Sequence, residues 1–247
     1  MRPSCAVIGG SGLDALDKSF KVETLVNPST PYGDVSADLV IGELNGCKIV
    51  FLARHGTSHQ IPPHKINYRA NLWALRETGV NQIIAVNAVG GINHGPHSLV
   101  LPDQIIDYTS DRSHTYFDGE SRGVGHIDFT FPYSQSLRDK IRLAGKAANI
   151  ELNTVATYGC TNGPRLETGA EIQKMQRDGC NIIGMTGMPE AALARELEME
   201  YASVALVVNW CAGVKGSTVD LDEIRQVLKQ GMKSAIDLIS VTLKQVD

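Results

Sequence analysis

Short runs rich in Val and Ile recur along the chain at 5–9, 38–44, 48–54, 82–91, 104–108, 154–158, 181–185 and 201–209, each bounded by Gly, Asn or Asp. Brief β-branched runs with polar stops predict strands. Several are apolar on both faces, as strands covered by helices on each side should be. Helical periods lie between them. In 67–77, Tyr68, Leu72 and Leu75 share one face, leaving Arg69, Arg76 and Glu77 to solvent. Similar patterns predict helices over 168–177, 189–199 and 221–244, the last striped by Ile224, Leu228, Met232, Ala235, Ile236 and Ile239. Pro189 suits a helix start, where no amide partner is needed.

Alternating strands and helices, without an internal repeat or a Pro/Ser-rich linker, predict a single α/β domain over 1–247 with a parallel or mixed sheet. The stretch 109–132 departs from this pattern, with little apolar periodicity and many Gly, Asp, Ser and His. A long polar loop inside a compact domain is expected to serve binding or subunit contact.

Composition narrows the function classes. Of 247 residues, 43% are hydrophobic and 20% charged, and the net charge is −4. That is a globular composition without the basic excess that nucleic acid or an anionic membrane calls for. The longest weakly polar stretch, 201–214, is interrupted by Asn209. It is also shorter than the roughly 20 residues a bilayer span requires. The amino terminus, MRPSCAVIGGSG, lacks an apolar signal core. Cys5, Cys47, Cys160, Cys180 and Cys211 are odd in number, widely spaced and without CxxC, which fits reduced thiols in a cytoplasmic protein.

Candidate chemistry gathers at predicted strand ends. Gly9-Gly10-Ser11-Gly12 follows the first strand, where glycines let backbone approach an anion and Ser11 adds a hydroxyl. The third glycine of GxGxxG is absent, and so is GK[ST]. Arg54 and His55 close another strand, at the carboxyl edge where α/β sheets bind ligands. Asn87 and Ala88 run into Gly90 and Gly91; Gly184, Met185 and Thr186 end one strand, and Asn209, Trp210 and Cys211 another. Glu167 sits in a turn before a helix, where the helix dipole favours a carboxylate. His55, His59 and His64 match no metal-ligand spacing, and Pro62 and Pro63 break any helix between them, so no metal is expected. Singly, each feature reads as a turn, an ion pair or a cap. Together they suit holding an oxyanion beside a neutral ligand, without a covalent nucleophile.

The strings IGGSGL, TPYGDVSADLVIGEL, LARHGTSHQIPPHKINYRANLWAL, GPRLETGAEI and GMTGMPEAALARE, with the 201–211 strand, resemble the trimeric purine nucleoside phosphorylase and methylthioadenosine phosphorylase family in order over nearly the whole chain. The resemblance implies a twisted mixed sheet flanked by helices and a homotrimer with sites at subunit interfaces. It implies reversible phosphorolysis of a purine nucleoside, with inorganic phosphate as co-substrate and no cofactor. Phosphate would be held by Ser11, Arg54, His55, Asn87, Ala88 and Thr186, and Met185 would lie against the ribose. Asn209, Trp210 and Cys211 would meet the purine, with Glu167 on its other side. His126 would enter the 5′ pocket from a neighbouring subunit, and Ile224 and Val227 would line that pocket. Arg54, His55 and Asn209 are the expected catalytic groups.

Two positions bear on the substrate. The methylthioadenosine branch has Asp at the position of Asn209 and Ser at that of Glu167, whereas the Glu and Asn pair resembles the branch acting on hypoxanthine and guanine nucleosides. A 6-oxopurine offers an N1–H donor to Glu167 and an O6 acceptor to the Asn209 amide; adenine has an acceptor at N1. The apolar 5′ positions point to a thioether. Together they predict S-methyl-5′-thioinosine as substrate, yielding hypoxanthine and 5-methylthioribose 1-phosphate. General inosine and guanosine phosphorolysis, methylthioadenosine phosphorolysis and a nucleoside-binding paralogue remain open.

Overall fold

The computed structural model describes residues 3–10, 20–119 and 122–245. Among these, the strands are β1 (Cys5–Gly9), β2 (Phe20–Val26), β3 (Leu39–Leu44), β4 (Cys47–Ala53), β5 (Gln82–Gly91), β6 (Leu99–Val100), β7 (Gln104–Asp107), β8 (Leu152–Asn153), β9 (Thr157–Cys160), β10 (Ile182–Gly184) and β11 (Glu200–Trp210). The helices are α1 (Tyr68–Glu77), α2 (Gln135–Ala147), α3 (Gly169–Arg177), α4 (Glu190–Glu196) and α5 (Leu221–Leu243).

The strands form one mixed sheet in the order β2-β3-β4-β1-β5-β10-β9-β7, with β11 on the other edge of β5 leading to β6 and β8. Strands β4, β1, β5 and β11 run parallel, and β3 and β10 join antiparallel. Alternation along each strand divides the core. Ala6 and Ile8 of β1 face a cluster with Leu72 and Leu75 of α1 and Leu193 of α4. Cys5 and Val7 face the opposite cluster, with Leu137 and Ile141 of α2 and Met232, Ala235 and Ile239 of α5. Helices thus cover both faces, which is why the central strands read as unbroken apolar runs.

Local signals explain the boundaries. The Asn67 side chain accepts from the Ala70 amide to start α1. Thr168 and Glu171 form a capping box on α3, and Asp220 caps α5. Helix α2 has the same grammar, with Ser134 as cap and Leu137, Ile141 and Ala144 buried, yet it was not among the predicted helices. Strand β2 was also missed, because it lies at the sheet edge with most of its residues exposed on both faces. The predicted strand at 154–158 pairs instead at Thr157–Cys160, since Val155 is solvent-exposed and the ladder begins beyond it.

Residues 109–132 contain no helix or strand among those described. The stretch is anchored at its start. Arg112 donates to the carbonyls of Thr161, Asn162 and Met188, and Glu196 accepts from the Thr115 hydroxyl and the Tyr116 amide. Further along, Val124 and Phe131 are exposed.

Helix α5 crosses β11 where Gly231 meets the Leu206 side chain; a Cβ on Gly231 would lie 2.6 Å from it. Glycine offers nothing to fill a void there. Leu206→Ala is therefore expected to cost about 3–5 kcal/mol, the upper part of the range for buried leucines, as measured by urea unfolding.

Candidate active site

Strand β5 pairs with β1 over residues 82–85 and with β10 only at Gly90 and Gly91, while its other edge is filled by β11. Residues 86–89 therefore have no strand beside them on the β1 side. A cavity of about 420 Å³ opens there, a size suited to a small-molecule ligand. Its walls come from the ends of β1, β4, β10 and β11, the rim 59–63, the turn 164–167 and the face of α5 near its start.

Arg54 lies at one corner, 1% exposed. Its Nε and Nη2 donate to the two oxygens of Glu190 at 2.7 and 2.8 Å, and Nη1 donates to the Val86 carbonyl at 3.2 Å. Glu190 also accepts from the Tyr201 hydroxyl at 2.9 Å. Burial works against the guanidinium charge, but the Glu190 carboxylate outweighs it and its pKa is raised. A guanidinium has five N–H groups, so donors remain for a further anion. The Glu190 partnership was not foreseen. Its only signal was an acidic residue following Pro189 in a motif already singled out.

His55 donates from Nδ1 to the Ile61 carbonyl at 2.8 Å, since a carbonyl can only accept. Burial, then the neighbouring Arg54 charge, lowers its pKa from 6.5 to about 4. The ring is neutral at pH 7 and carries a lone pair on Nε2, close to where a Cβ on Gly10 would stand. His59 packs against it with ring centroids 4.5 Å apart. Among the described residues no group of three or more His, Cys, Asp or Glu is arranged to hold a metal.

Thr186 faces the same corner. Its Oγ1 accepts from the Asn87 Nδ2 at 2.8 Å, and the Asn87 Oδ1 accepts from the Ser203 hydroxyl at 2.7 Å. The Asn87 amide thereby braces the Thr186 hydroxyl, and Thr186 lines the cavity. The Asn87 side chain thus acts through Thr186, and Ser203, which sequence reasoning missed, fixes the amide. Ala88 lines the cavity as well. Ser11 lies outside the described residues.

At the other end Glu167 and Asn209 line the cavity, and Met185 lines it as well. The Glu167 Oε1 accepts from the Thr161 hydroxyl at 2.6 Å, and one N–H of the Asn209 amide donates to the Trp210 carbonyl at 2.7 Å. Strand β11 carries a register shift between Val207 and Asn209. Such bulges re-aim side chains. Here Asn209 and Cys211 line the cavity and Trp210 does not; its ring packs beside Gly95 under the Lys215 ammonium. Burial pushes the Cys211 thiol up to about 12, so it stays protonated and is no nucleophile. Gly90 forms the floor: a Cβ there would stand 2.7 Å from the Cys211 sulfur.

Ile224 lines the cavity with Leu228 and Val219. Val227 does not; it is 4% exposed and packs into the core beneath α5. On a helix, positions four apart share a face, so Leu228 stands where Val227 was expected. His126 is exposed and does not line this cavity.

A sequence profile of the Phosphorylase superfamily matches residues 4–244. A protein of Pseudomonas syringae pv. tomato named "Probable S-methyl-5'-thioinosine phosphorylase" is 49% identical over 229 residues, covering 92% of this chain and 93% of its own. The 6-oxopurine nucleoside phosphorylase of Pyrococcus furiosus is 43% identical, covering 96% and 91% respectively. A methylthioadenosine phosphorylase from an antarctic soil metagenomic library superposes with a TM-score of 0.91 at 37% identity, covering 99% of this chain and 86% of that one. The chain belongs to the phosphorylase superfamily, and its α/β architecture is that of the nucleoside phosphorylases.

Two outcomes test the polar corner. Between about 6.5 and 4, unfolded His55 binds a proton that folded His55 refuses. Stability therefore falls as pH drops through that window. The thermal midpoint of the wild type should decline more steeply there than that of His55→Asn; parallel slopes would contradict it. Glu190→Gln leaves the buried Arg54 charge uncompensated and should cost about 3 kcal/mol in denaturant unfolding.

Proposed function

We propose that this chain catalyses phosphate-dependent cleavage of the N-glycosidic bond of a 6-oxopurine nucleoside, with S-methyl-5′-thioinosine as the preferred substrate. The products are hypoxanthine and 5-methylthioribose 1-phosphate. One observation carries it: a single cavity joins the Arg54, His55 and Thr186 corner to the Glu167 and Asn209 pair, with an apolar wall of Val219, Ile224 and Leu228.

Inorganic phosphate is the co-substrate. Arg54 supplies charge, and Thr186 and the 87–88 backbone supply donors. As the glycosidic bond loosens, positive charge grows on the sugar and negative charge on the purine. Phosphate below C1′ stabilises the first and completes the displacement. The remaining Asn209 N–H stabilises the second at the base, and Met185 packs against the ribose. Glu167 accepts from N1–H, a contact adenine does not offer. The apolar wall suits a 5′ thioether better than a hydroxyl, whose hydrogen bonds it would leave unmet.

The assembly is proposed as a cytoplasmic homotrimer in which a neighbour lends His126 to the 5′ pocket. Support comes from the exposure of His126, flanked by exposed Val124 and Phe131, on a stretch none of whose described residues lines the cavity. Among the described residues no helix is long and apolar enough to cross a membrane.

Purified protein, phosphate and, in parallel, methylthioinosine, inosine and methylthioadenosine test the reading through kcat/KM for base release. Preference for methylthioinosine is expected. Parity with inosine would remove the 5′ argument, preference for methylthioadenosine would remove the base argument, and binding without turnover would make the chain a sensor. Asn209→Asp should lower the preference for methylthioinosine over methylthioadenosine by about 10²-fold; an unchanged ratio would unseat Asn209.

A further inference from the structure

Thr161 follows β9 and lies 8% exposed. Its amide donates to the Gly184 carbonyl at 2.8 Å, and its own carbonyl accepts from Arg112 Nη2 at 3.2 Å. Arg112 is itself buried and also binds the carbonyls of Asn162 and Met188. The backbone of Thr161 is therefore clamped from two sides between the end of β10 and a buried guanidinium. A β-branched side chain on such a backbone has few rotamers to choose from.

The hydroxyl has one proton and two nearby acceptors: Glu167 Oε1 at 2.6 Å and the Gly184 carbonyl at 3.4 Å. The shorter contact to a carboxylate takes it. Glu167 sits on a turn six residues later and, among the described residues, its carboxylate receives no other side-chain hydrogen bond.

We propose that Thr161 is a specificity-determining positioning residue: its hydroxyl commits one oxygen of Glu167 and leaves the other facing the purine N1–H. This rests on the 6-oxopurine reading of Glu167 given above. A carboxylate free to rotate presents either oxygen, or neither, to the base. One fixed by Thr161 meets hypoxanthine with an aimed acceptor and meets the adenine N1 lone pair with the same acceptor. The fixed geometry thus favours the first base and disfavours the second.

Calorimetric titration of the full chain with hypoxanthine and with adenine tests this, using wild type, Thr161→Val and Thr161→Ser. Thr161→Val keeps the shape and removes the donor. It should weaken hypoxanthine about tenfold and adenine by about twofold or less. Thr161→Ser, which retains the hydroxyl, should restore most of the loss. Thr161→Ala gives the same comparison should Thr161→Val fail to fold. Equal weakening of both bases, or no change in either, would overturn the proposal and leave the reading of Glu167 intact. A wild type without preference for hypoxanthine would overturn that reading and this inference with it.

Discussion

Strand β5 is longer than the neighbour it pairs with on one edge. It shares a ladder with β1 over 82–85 and with β10 only at Gly90 and Gly91, and the backbone between has no strand on that side. Unpaired backbone inside a fold needs other partners. Arg54 provides one by donating to the Val86 carbonyl, and it is buried for the same reason. A buried guanidinium in turn requires a carboxylate, which α4 supplies as Glu190, braced by Tyr201 from β11. The gap in the sheet and the charge beside it therefore come together.

The two ends of the cavity are built on different physics. At the Arg54 corner the groups are deeply buried and cross-braced. Asn87 and Ser203 set the Thr186 hydroxyl, and His55 is held in one tautomer by Ile61. A site pre-organised in this way spends little on reorganisation when an anion arrives. At the other end Glu167 and Asn209 are only half-buried, and each is tied down by one hydrogen bond to a near neighbour in sequence. This end of the cavity rests on a turn and on one strand bulge. The Arg54 corner depends on the frame of the sheet.

Much of the frame was legible in the chain. Central strands buried on both faces leave unbroken Val and Ile runs, and β1 and β5 stood where those runs placed them. Helices α1, α3 and α5 declared themselves through their apolar periodicity. Edge strand β2 did not, because exposure on both faces removes the apolar signal, and the brief β6 and β8 are too short to carry any period. The strand ends likewise marked Arg54, His55, Asn87, Thr186 and Asn209, and the turn before α3 marked Glu167, as groups that the fold gathers round one cavity.

What the sequence determined by itself was the alternation of elements and the chemical inventory at their ends, because burial and backbone hydrogen bonding act on every residue through local spacing. Tertiary structure alone decided which of those groups work in pairs. Glu190 reaches Arg54 across 136 positions of chain, and Ser203 reaches Asn87 across 116. It also decided orientation. The bulge in β11 turns Asn209 inward and Trp210 away, and one residue of helical phase sends Leu228 to the cavity and Val227 to the core. Such choices rest on long-range contacts and on side-chain direction, neither of which a linear pattern records.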